Sequence, residues 1–225
     1  MNEIDLKADF DDLLSTPRPL ESLDSLIWKS LTSAADQAGH PWKEAAVATL
    51  RIPSHASQNP CPEIRTIILR RVDEGPRTID FHTDLRSPKV DQIRHAGDPS
   101  PISWLFYDSA SKIQLRLSGA ATVISGEAAQ AAWESVPEPA RDNYRSVAAP
   151  GTIHAGDDPP PDDQRLVQPS EDSDSEDSDA GRRWFCVVRT TVTAADWLYL
   201  RRGGHVRASV NYSANGRAIS RWVMP

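Results

Sequence analysis

Near the start of the chain, apolar residues recur mostly at intervals of three or four positions. They are Leu20, Leu23, Leu26, Ile27, Trp28 and Leu31. Residues at this spacing share one face of an α-helix, so the pattern predicts an amphipathic helix over residues 20–38. Gly39 and Pro41, which both disfavour a continuing helix, mark its end. We expect its apolar face to pack on the rest of the protein.

The pattern then changes to short apolar or alternating runs, which are separated by turn residues such as Glu74-Gly75-Pro76 and Asp108-Ser109. These runs predict strands over residues 45–52, 63–72, 77–83, 101–107, 112–124, 183–192, 197–200, 205–212 and 217–224. Many antiparallel strands with a few short helices are typical of a β-barrel in the α+β class. The predicted fold is therefore mainly β.

One short helix interrupts the strands. Ser87 is a good N-cap, Pro88 suits the first helical position, and Gly97 ends the helix. Backbone N–H groups and the helix dipole favour an anion at such a start, where Ser87 and Lys89 add a hydroxyl and an ammonium. The same residues also suit a plain helix cap, so this feature alone leaves a phosphate site and a cap as alternatives.

Length and composition indicate one globular domain over residues 1–225. No apolar run approaches the roughly 20 residues that cross a bilayer. The first ten residues are acidic, unlike a signal peptide. We therefore expect a cytoplasmic protein without a membrane partner. Cys61 and Cys186 are too few and too far apart for a zinc site or a disulfide framework, and both are expected to be reduced and structural.

The acidic charge is concentrated in one segment. Ten acidic residues and one Arg lie between Asp157 and Asp179, a net charge of −9 within a chain of net charge −7. This Pro-rich, acidic segment has little to bury, which predicts a disordered insertion at about residues 156–181. The rest of the chain carries +2, and a mildly basic folded part suits an anionic ligand.

The sequence lacks the glycine-rich nucleotide motifs, the HExxH zinc motif, the GxSxG nucleophile motif and CxxC. Ordinary dinucleotide, zinc and serine-hydrolase sites are therefore not predicted. What remains is a set of basic and polar residues near predicted strand ends: Arg65, Arg70, Arg71, Thr83, Arg86, Ser87, Lys89, Gln114, Arg116 and Arg207.

The order of these residues resembles a known family. The runs EIRTIILRRV, FHTDLRSPKVDQI and SKIQLRLSG are similar to the core of the pyridoxamine 5'-phosphate oxidase family. Trp197, Arg207 and the closing RWVMP resemble that family's terminal segment. The resemblance covers roughly residues 45–125 and 183–225, and PWKEAAVATLRI and TDLRSPK resemble the Alr4036-type FMN-binding branch.

The resemblance implies an FMN-binding split β-barrel with a few short packing helices. It implies that Thr83, Ser87 and Lys89 bind the FMN phosphate, with Arg86 as a helper, because Pro88 stands where the oxidases have Arg. It also places the following residues around the cofactor: Arg65, Thr66, Ile67, Ile68, Arg70, His82 and Gln114. His82 stands where the oxidases have Tyr or Phe.

Two further residues imply a second subunit. Trp197 and Arg207 match residues that, in the family, reach the isoalloxazine from the partner subunit. Two chains would then complete each site, so the resemblance implies a homodimer.

The substrate residues depart from the oxidase pattern. The segment AAWESVPEPARDNYRS lacks an Arg at the matching place, and Gly203 replaces the Arg of the family's R-x-H. His205 retains the His, which is a candidate substrate contact or a structural strand residue. The sequence identifies no catalytic residue.

Three functions are compatible with these features to different degrees. The favoured one is a flavin-dependent oxidoreductase acting on a small molecule, with pyridoxamine or pyridoxine phosphate as candidates. The alternative is a non-catalytic FMN carrier or sensor whose acidic segment recruits a partner. A nucleic-acid binder is disfavoured because the basic residues are dispersed.

Overall fold

The computed structural model describes residues 5–53, 59–154, 181–213 and 215–225. Within these ranges the helices are α1 (Leu6–Leu14), α2 (Pro19–Asp36), α3 (Pro88–Ala96), α4 (Gln130–Glu134) and α5 (Glu138–Arg141). The strands are β1 (Glu44–Arg51), β2 (Cys61–Ile68), β3 (Arg71–Asp73), β4 (Thr78–Asp84), β5 (Ser100–Asp108), β6 (Ile113–Ser125), β7 (Phe185–Tyr199), β8 (Val206–Tyr212) and β9 (Ala218–Val223).

All nine strands belong to one antiparallel sheet. Its order is β2-β1-β5-β6-β7-β4-β3, with β8 added on β7 and β9 on β8. Strand β7 pairs with β4 over its first half and with β8 over its second half, while β6 follows it along nearly its whole length. The sheet therefore divides at β7 and does not close.

A register shift between Ser118 and Gly119 lets the two long strands β6 and β7 bend together. A Cβ atom on Gly119 would lie 2.3 Å from the carbonyl oxygen of Thr191. Only glycine permits this close approach of the two backbones.

The core lies inside the curved sheet, where alternate residues of each strand point inward. In β5, Ile102, Trp104 and Phe106 are buried while their neighbours face outward. Helix α2 closes the core with Leu23, Ile27, Trp28 and Leu31, which are the apolar positions of its sequence pattern. A second small cluster, around Trp133, Tyr144 and Phe185, lies under α4 and the segment that follows α5.

A partly buried group of polar side chains links α2 to the sheet. The Trp28 indole Nε1–H donates to the Tyr212 hydroxyl, which donates to Asp24 over 2.6 Å. The Arg77 guanidinium lies 4.3 Å from the centre of the Tyr212 ring and forms an ion pair with Asp24. The indole, the phenol and the carboxylate of this group all have hydrogen-bond partners, which lowers the cost of burying them.

The predicted strand over residues 63–72 is two strands in the structure. The backbone N–H of Leu69 still donates to Lys43, beside β1, whereas that of Arg70 donates to Asp80 of β4. The chain changes its pairing partner between these two residues, and this change separates β2 from β3. Conversely, the predicted strands over 183–192 and 197–200 are one strand, because β7 stays paired with β6 across the bulge.

Sequence periodicity did not predict helices α1, α4 and α5. Helix α1 carries Leu6, Phe10 and Leu13 on its buried face, and Asp5 caps its first turn. Its spacing is helical, but the apolar run is brief. The predicted disordered insertion at 156–181 lies outside the described residues except for Gly181, which is buried beside Tyr144. Across the described ranges, no helix combines the length and the apolar character needed to cross a membrane.

Candidate functional site

Two hydroxyls and an ammonium meet where β4 leads into α3. Lys89 Nζ donates to Thr83 Oγ1 over 3.0 Å and to Ser87 Oγ over 3.2 Å. Ser87 occupies the predicted N-cap position, but its side chain makes no capping hydrogen bond. It is only 1% exposed. The Ser87 hydroxyl therefore contacts the lysine and Thr83 instead of capping the first turn of α3.

A second cation reaches this junction from β2. The Arg65 guanidinium donates through Nη1 to Thr49 Oγ1, and through Nη2 to Gln92 Oε1 over 2.9 Å. Burial, followed by the charge of Arg65, lowers the pKa of Lys89, so the two cations lie near each other. We call Arg65, Thr83, Ser87 and Lys89 the basic cradle.

The basic cradle suits the phosphate of a ligand. Two cations balance the charge of a dianion. The Thr83 and Ser87 hydroxyl oxygens lie 3.4 Å apart, so one hydroxyl can donate to the other and at least one O–H remains to donate to a ligand. Burial also lowers the pKa of Arg65, which shows that its charge is partly removed from water. An anion placed between Arg65 and Lys89 would relieve their repulsion.

Arg86 is held by other partners, and its predicted role as a helper at the phosphate stays a prediction. Its guanidinium forms a two-pronged ion pair with Asp84, at 3.0 and 2.7 Å. It also donates to the carbonyl oxygens of Ser146 and Val147, and it lies over the Trp184 ring. Arg86 holds the segment around residue 146 against the end of β4.

Trp197 also lies elsewhere than predicted. It is completely buried in the core of its own chain, with its ring 5.1 Å from that of Phe10. Neighbouring residues of a strand face opposite sides, so Asp196 and Leu198 point outward where Trp197 points inward. The prediction that Trp197 reaches a partner's flavin is therefore wrong for this fold.

Arg207 and Gln114, by contrast, lie on the outer face of the sheet. Both residues are strand neighbours of Leu198 on β7: Gln114 pairs with it from β6, and Arg207 pairs with it from β8. Arg207 donates to Asp196 over 2.7 Å, and Arg116 forms an ion pair with the same carboxylate. Asp196 thus orders two arginines on this face.

The other predicted site residues have defined places without a defined ligand contact. Thr66 is exposed and Ile67 and Ile68 are half-buried, all on β2 beside β1. His205 is exposed and precedes β8 rather than lying on it. Their contacts with cofactor or substrate stay predictions.

Arg70 and His82 border a different space. A cavity of about 460 Å³ is lined by Lys43, Arg70, His82, Asn143 and Tyr144, among others. We call it the His82 cavity. His82 is adjacent to Thr83 on β4 and therefore faces the side opposite the basic cradle; its ring packs edge to face on Phe185.

Charge in the His82 cavity is mostly positive. Burial, and then the charge of Arg70, lowers the pKa of His82 to about 4, so this imidazole is neutral at pH 7. The same two causes lower the pKa of Lys43. Burial raises the pKa of Tyr144 and keeps its phenol neutral. Two cations, Lys43 and Arg70, and one acidic residue, Asp36, therefore border the cavity beside neutral polar side chains.

Four residues of these sites escaped the sequence analysis: Lys43, Thr49, Glu63 and Gln92. Glu63 lies two positions before Arg65 on β2, a spacing that places both side chains on one face of a strand. Gln92 is a polar residue on the otherwise apolar buried face of α3. These two signals were present in the sequence, whereas Thr49 and Lys43 adjoin the sites only through strand pairing.

The two cysteines differ from each other. Cys186 is buried, its thiol donates to the carbonyl oxygen of Thr83, and burial raises its pKa to about 12. It is a structural residue, as predicted. Cys61 is exposed, so its predicted structural role is wrong.

Together, the fold and the basic cradle define a class of protein: an open antiparallel barrel that can hold a phosphate where a strand leads into a short helix. Solved structures share this fold. A pyridoxamine 5'-phosphate oxidase-related FMN-binding protein from Nostoc punctiforme PCC 73102 has a TM-score of 0.63 and 21% identity, and the match covers 89% of this chain and 96% of that one. PhzG from Burkholderia lata 383, solved with tetrahydrophenazine-1-carboxylic acid, has a TM-score of 0.59 and 16% identity over 100% and 99% of the chains.

Comparison of sequences relates this chain to one protein family. Residues 25–125 match the family described as pyridoxamine 5'-phosphate oxidase, FMN-binding domain. Pyridoxine/pyridoxamine 5'-phosphate oxidase 2 of Arabidopsis thaliana is 30% identical over a 95-residue alignment that covers 37% of this chain. The alignment covers 46% of that protein, so the chain matches less than half of this relative. The predicted resemblance to this family and the split-barrel fold are confirmed, whereas the Alr4036-type branch stays a prediction.

The position of His82 predicts a pH dependence of stability. Its pKa is about 4 in the folded protein and 6.5 as the ordinary value, so between these pH values the unfolded chain binds more protons. Stability therefore falls as the pH falls, by about 3 kcal/mol in total. In urea denaturation, His82→Phe should gain about this much on wild type between pH 6.5 and 4. Parallel pH profiles of the two proteins would contradict the assignment.

Proposed function

We propose that this protein binds FMN through the basic cradle and uses it to oxidise or reduce a small molecule. The observation that carries the proposal is the convergence of Arg65, Lys89 and two buried hydroxyls where β4 leads into α3. Residues 25–125 match a family named for an FMN-binding domain, which supports the same ligand.

Each residue of the basic cradle has a definite task in this proposal. Arg65 and Lys89 balance the phosphate charge, while Thr83 and Ser87 donate their hydroxyl hydrogens to phosphate oxygens. Gln114, on the outer face of β6, is proposed to hydrogen-bond the ring system. FMN, when bound, supplies the electron-accepting chemistry. The protein contributes binding, orientation and charge.

The His82 cavity is proposed to take the anionic part of the substrate. The Arg70 side chain is exposed at its edge, and Lys43 is held there by a hydrogen bond from its ammonium to the carbonyl oxygen of Ala35. These cations compensate in charge for the Arg that the sequence lacks in the segment after β6. Phosphorylated B6 vitamers are the first candidates, because the Arabidopsis relative is named as an oxidase of pyridoxine and pyridoxamine 5'-phosphate.

A second copy of this chain is proposed to cover the outer face of the sheet. Ile64 is 71% exposed, Leu105 38% and Tyr107 44%, and a cavity of about 490 Å³ lies among Ala46, Ile64 and Leu105. Burial of such apolar side chains favours association. Arg207 and Gln114 border this face, so a homodimer would bring them to the boundary between the two copies.

The FMN proposal predicts a phosphate-specific loss of affinity. Lys89→Met should weaken FMN binding about 10- to 100-fold, because hydrogen bonds to a charged group contribute about 1.5–3 kcal/mol. Binding of riboflavin, which lacks the phosphate, should change little. Flavin fluorescence titrations measure both affinities, with Lys29→Met on the exposed face of α2 as the control. Equal losses for the two flavins would contradict the proposed role of Lys89.

The oxidoreductase proposal predicts turnover with a charged substrate. Without oxygen, pyridoxine phosphate or pyridoxamine phosphate should reduce the bound flavin and so bleach it. With oxygen present, reoxidation of the flavin should release peroxide. Arg70→Met should raise KM for the phosphorylated vitamer about 10-fold or more, since a charged partner is lost, with little effect on the unphosphorylated one. If no B6 vitamer reduces the flavin, the oxidase assignment fails, and the carrier or sensor alternative is favoured.

The homodimer predicts a mass in solution of twice the chain mass. Leu105→Arg should convert wild-type dimers to monomers in sedimentation equilibrium, because it places a charge in the apolar contact. Val147→Arg, an exposed apolar position in the segment after α5, serves as the matched control and should remain dimeric. A wild-type protein that sediments as a monomer would contradict the proposal.

A further inference from the structure

A buried amide joins the two halves of the basic cradle. Gln92 lies on α3, the helix that carries Ser87 and Lys89, and its side chain reaches β2, the strand that carries Arg65. Gln92 Oε1 accepts hydrogen bonds from the Arg65 guanidinium and from the Thr49 hydroxyl. Gln92 Nε2 donates to Glu63 Oε2 over 2.7 Å. The side chain is nearly completely buried, so its geometry is restricted by packing.

Glu63 is the natural competitor for Arg65. Its carboxylate lies 3.5 Å from Arg65 Nη2, which is within ion-pair range but beyond a good charged hydrogen bond. Its other oxygen accepts from Arg51 Nε over 2.8 Å. The hydrogen bond from Gln92, followed by that from Arg51, lowers the pKa of Glu63, so the group is a carboxylate at neutral pH.

The amide lies between these two charges and bonds to each of them. Its carbonyl faces the guanidinium and its NH₂ faces the carboxylate, which is an arrangement that neither a carboxylate nor an apolar side chain can reproduce. The hydrogen bonds of Arg65 use its Nη1 group and one hydrogen of Nη2, and Nη2 also lies 3.5 Å from the Glu63 carboxylate. The Nε–H is therefore the part of the guanidinium that is left for a ligand.

We propose that Gln92 is a positioning residue that keeps the 3.5 Å ion pair of Arg65 and Glu63 from closing to a direct hydrogen bond, and so preserves the selectivity of the basic cradle for a phosphate over a neutral ligand. This inference rests on the proposed FMN site. Without the amide, Glu63 can close on Arg65 and hydrogen-bond its guanidinium directly, which weakens the attraction of Arg65 for an incoming phosphate. The effect acts through Arg65, since Gln92 itself touches no ligand.

The test is the ratio of the dissociation constants for riboflavin and FMN. Gln92→Leu should lower this ratio about tenfold, and Gln92→Glu should lower it further because it adds a second carboxylate beside Arg65. Riboflavin affinity should stay within about twofold of wild type. Adding Glu63→Gln to the Gln92→Leu variant removes the competing charge and should restore most of the ratio. A merely structural role would not show this recovery.

Four outcomes would overturn the inference. Equal losses of FMN and riboflavin in Gln92→Leu would show that the amide only supports the fold, and circular dichroism of each variant records folding separately. Failure of Glu63→Gln to restore the ratio would show that Glu63 does not compete for Arg65. A wild-type protein that does not distinguish FMN from riboflavin would overturn the basic cradle as a phosphate site, and this inference with it. Loss of the ratio in Lys89→Met but not in Gln92→Leu would overturn the role of Gln92 alone.

Discussion

The pairing of β6 with β7 is the constraint on which the rest of the structure depends. It runs almost the full length of the two longest strands and bends at Gly119, where no side chain fits between the backbones. Because β7 binds β4 over one half and β8 over the other, this bend determines where each flanking strand lies. The basic cradle at the end of β4 and Arg207 on β8 are both positioned through β7.

Because side chains alternate along β4, its two faces contribute to two different sites. Thr83 faces the start of α3 and joins Lys89, while its neighbour His82 faces the cavity bordered by Arg70. The two sites need different environments. In the basic cradle, positive charge is held by hydroxyl and amide partners, whereas in the His82 cavity burial and a nearby guanidinium keep the imidazole uncharged. A single strand can serve both because successive residues face opposite ways.

The local parts of the site could be predicted because they depend on neighbours in sequence. Ser87, Pro88 and Gly97 specify the limits of α3 by backbone preference alone, and the structure has the helix at Pro88–Ala96. The period of Leu23, Ile27 and Leu31 specifies the buried face of α2 in the same way. The resemblance to a family then joined Arg65 to Lys89, and the structure places these cations near each other. Gln92 was missed because a polar residue on a helix shows no partner until the facing strand is known.

The sequence by itself determined the main elements and the mainly β fold, because propensity, capping and periodicity act over a few positions; the residues of the basic cradle were predicted from the resemblance to a family. Only the tertiary structure decided which charged and aromatic side chains can contact a ligand and which are engaged by other residues of the protein. Arg86 forms an ion pair with Asp84, and Trp197 packs in the core against Phe10. Arg65, in contrast, shares the Gln92 amide with Glu63 and lies 3.5 Å from that carboxylate. These outcomes depend on distances between residues far apart in the chain, and strand pairing and helix packing set those distances.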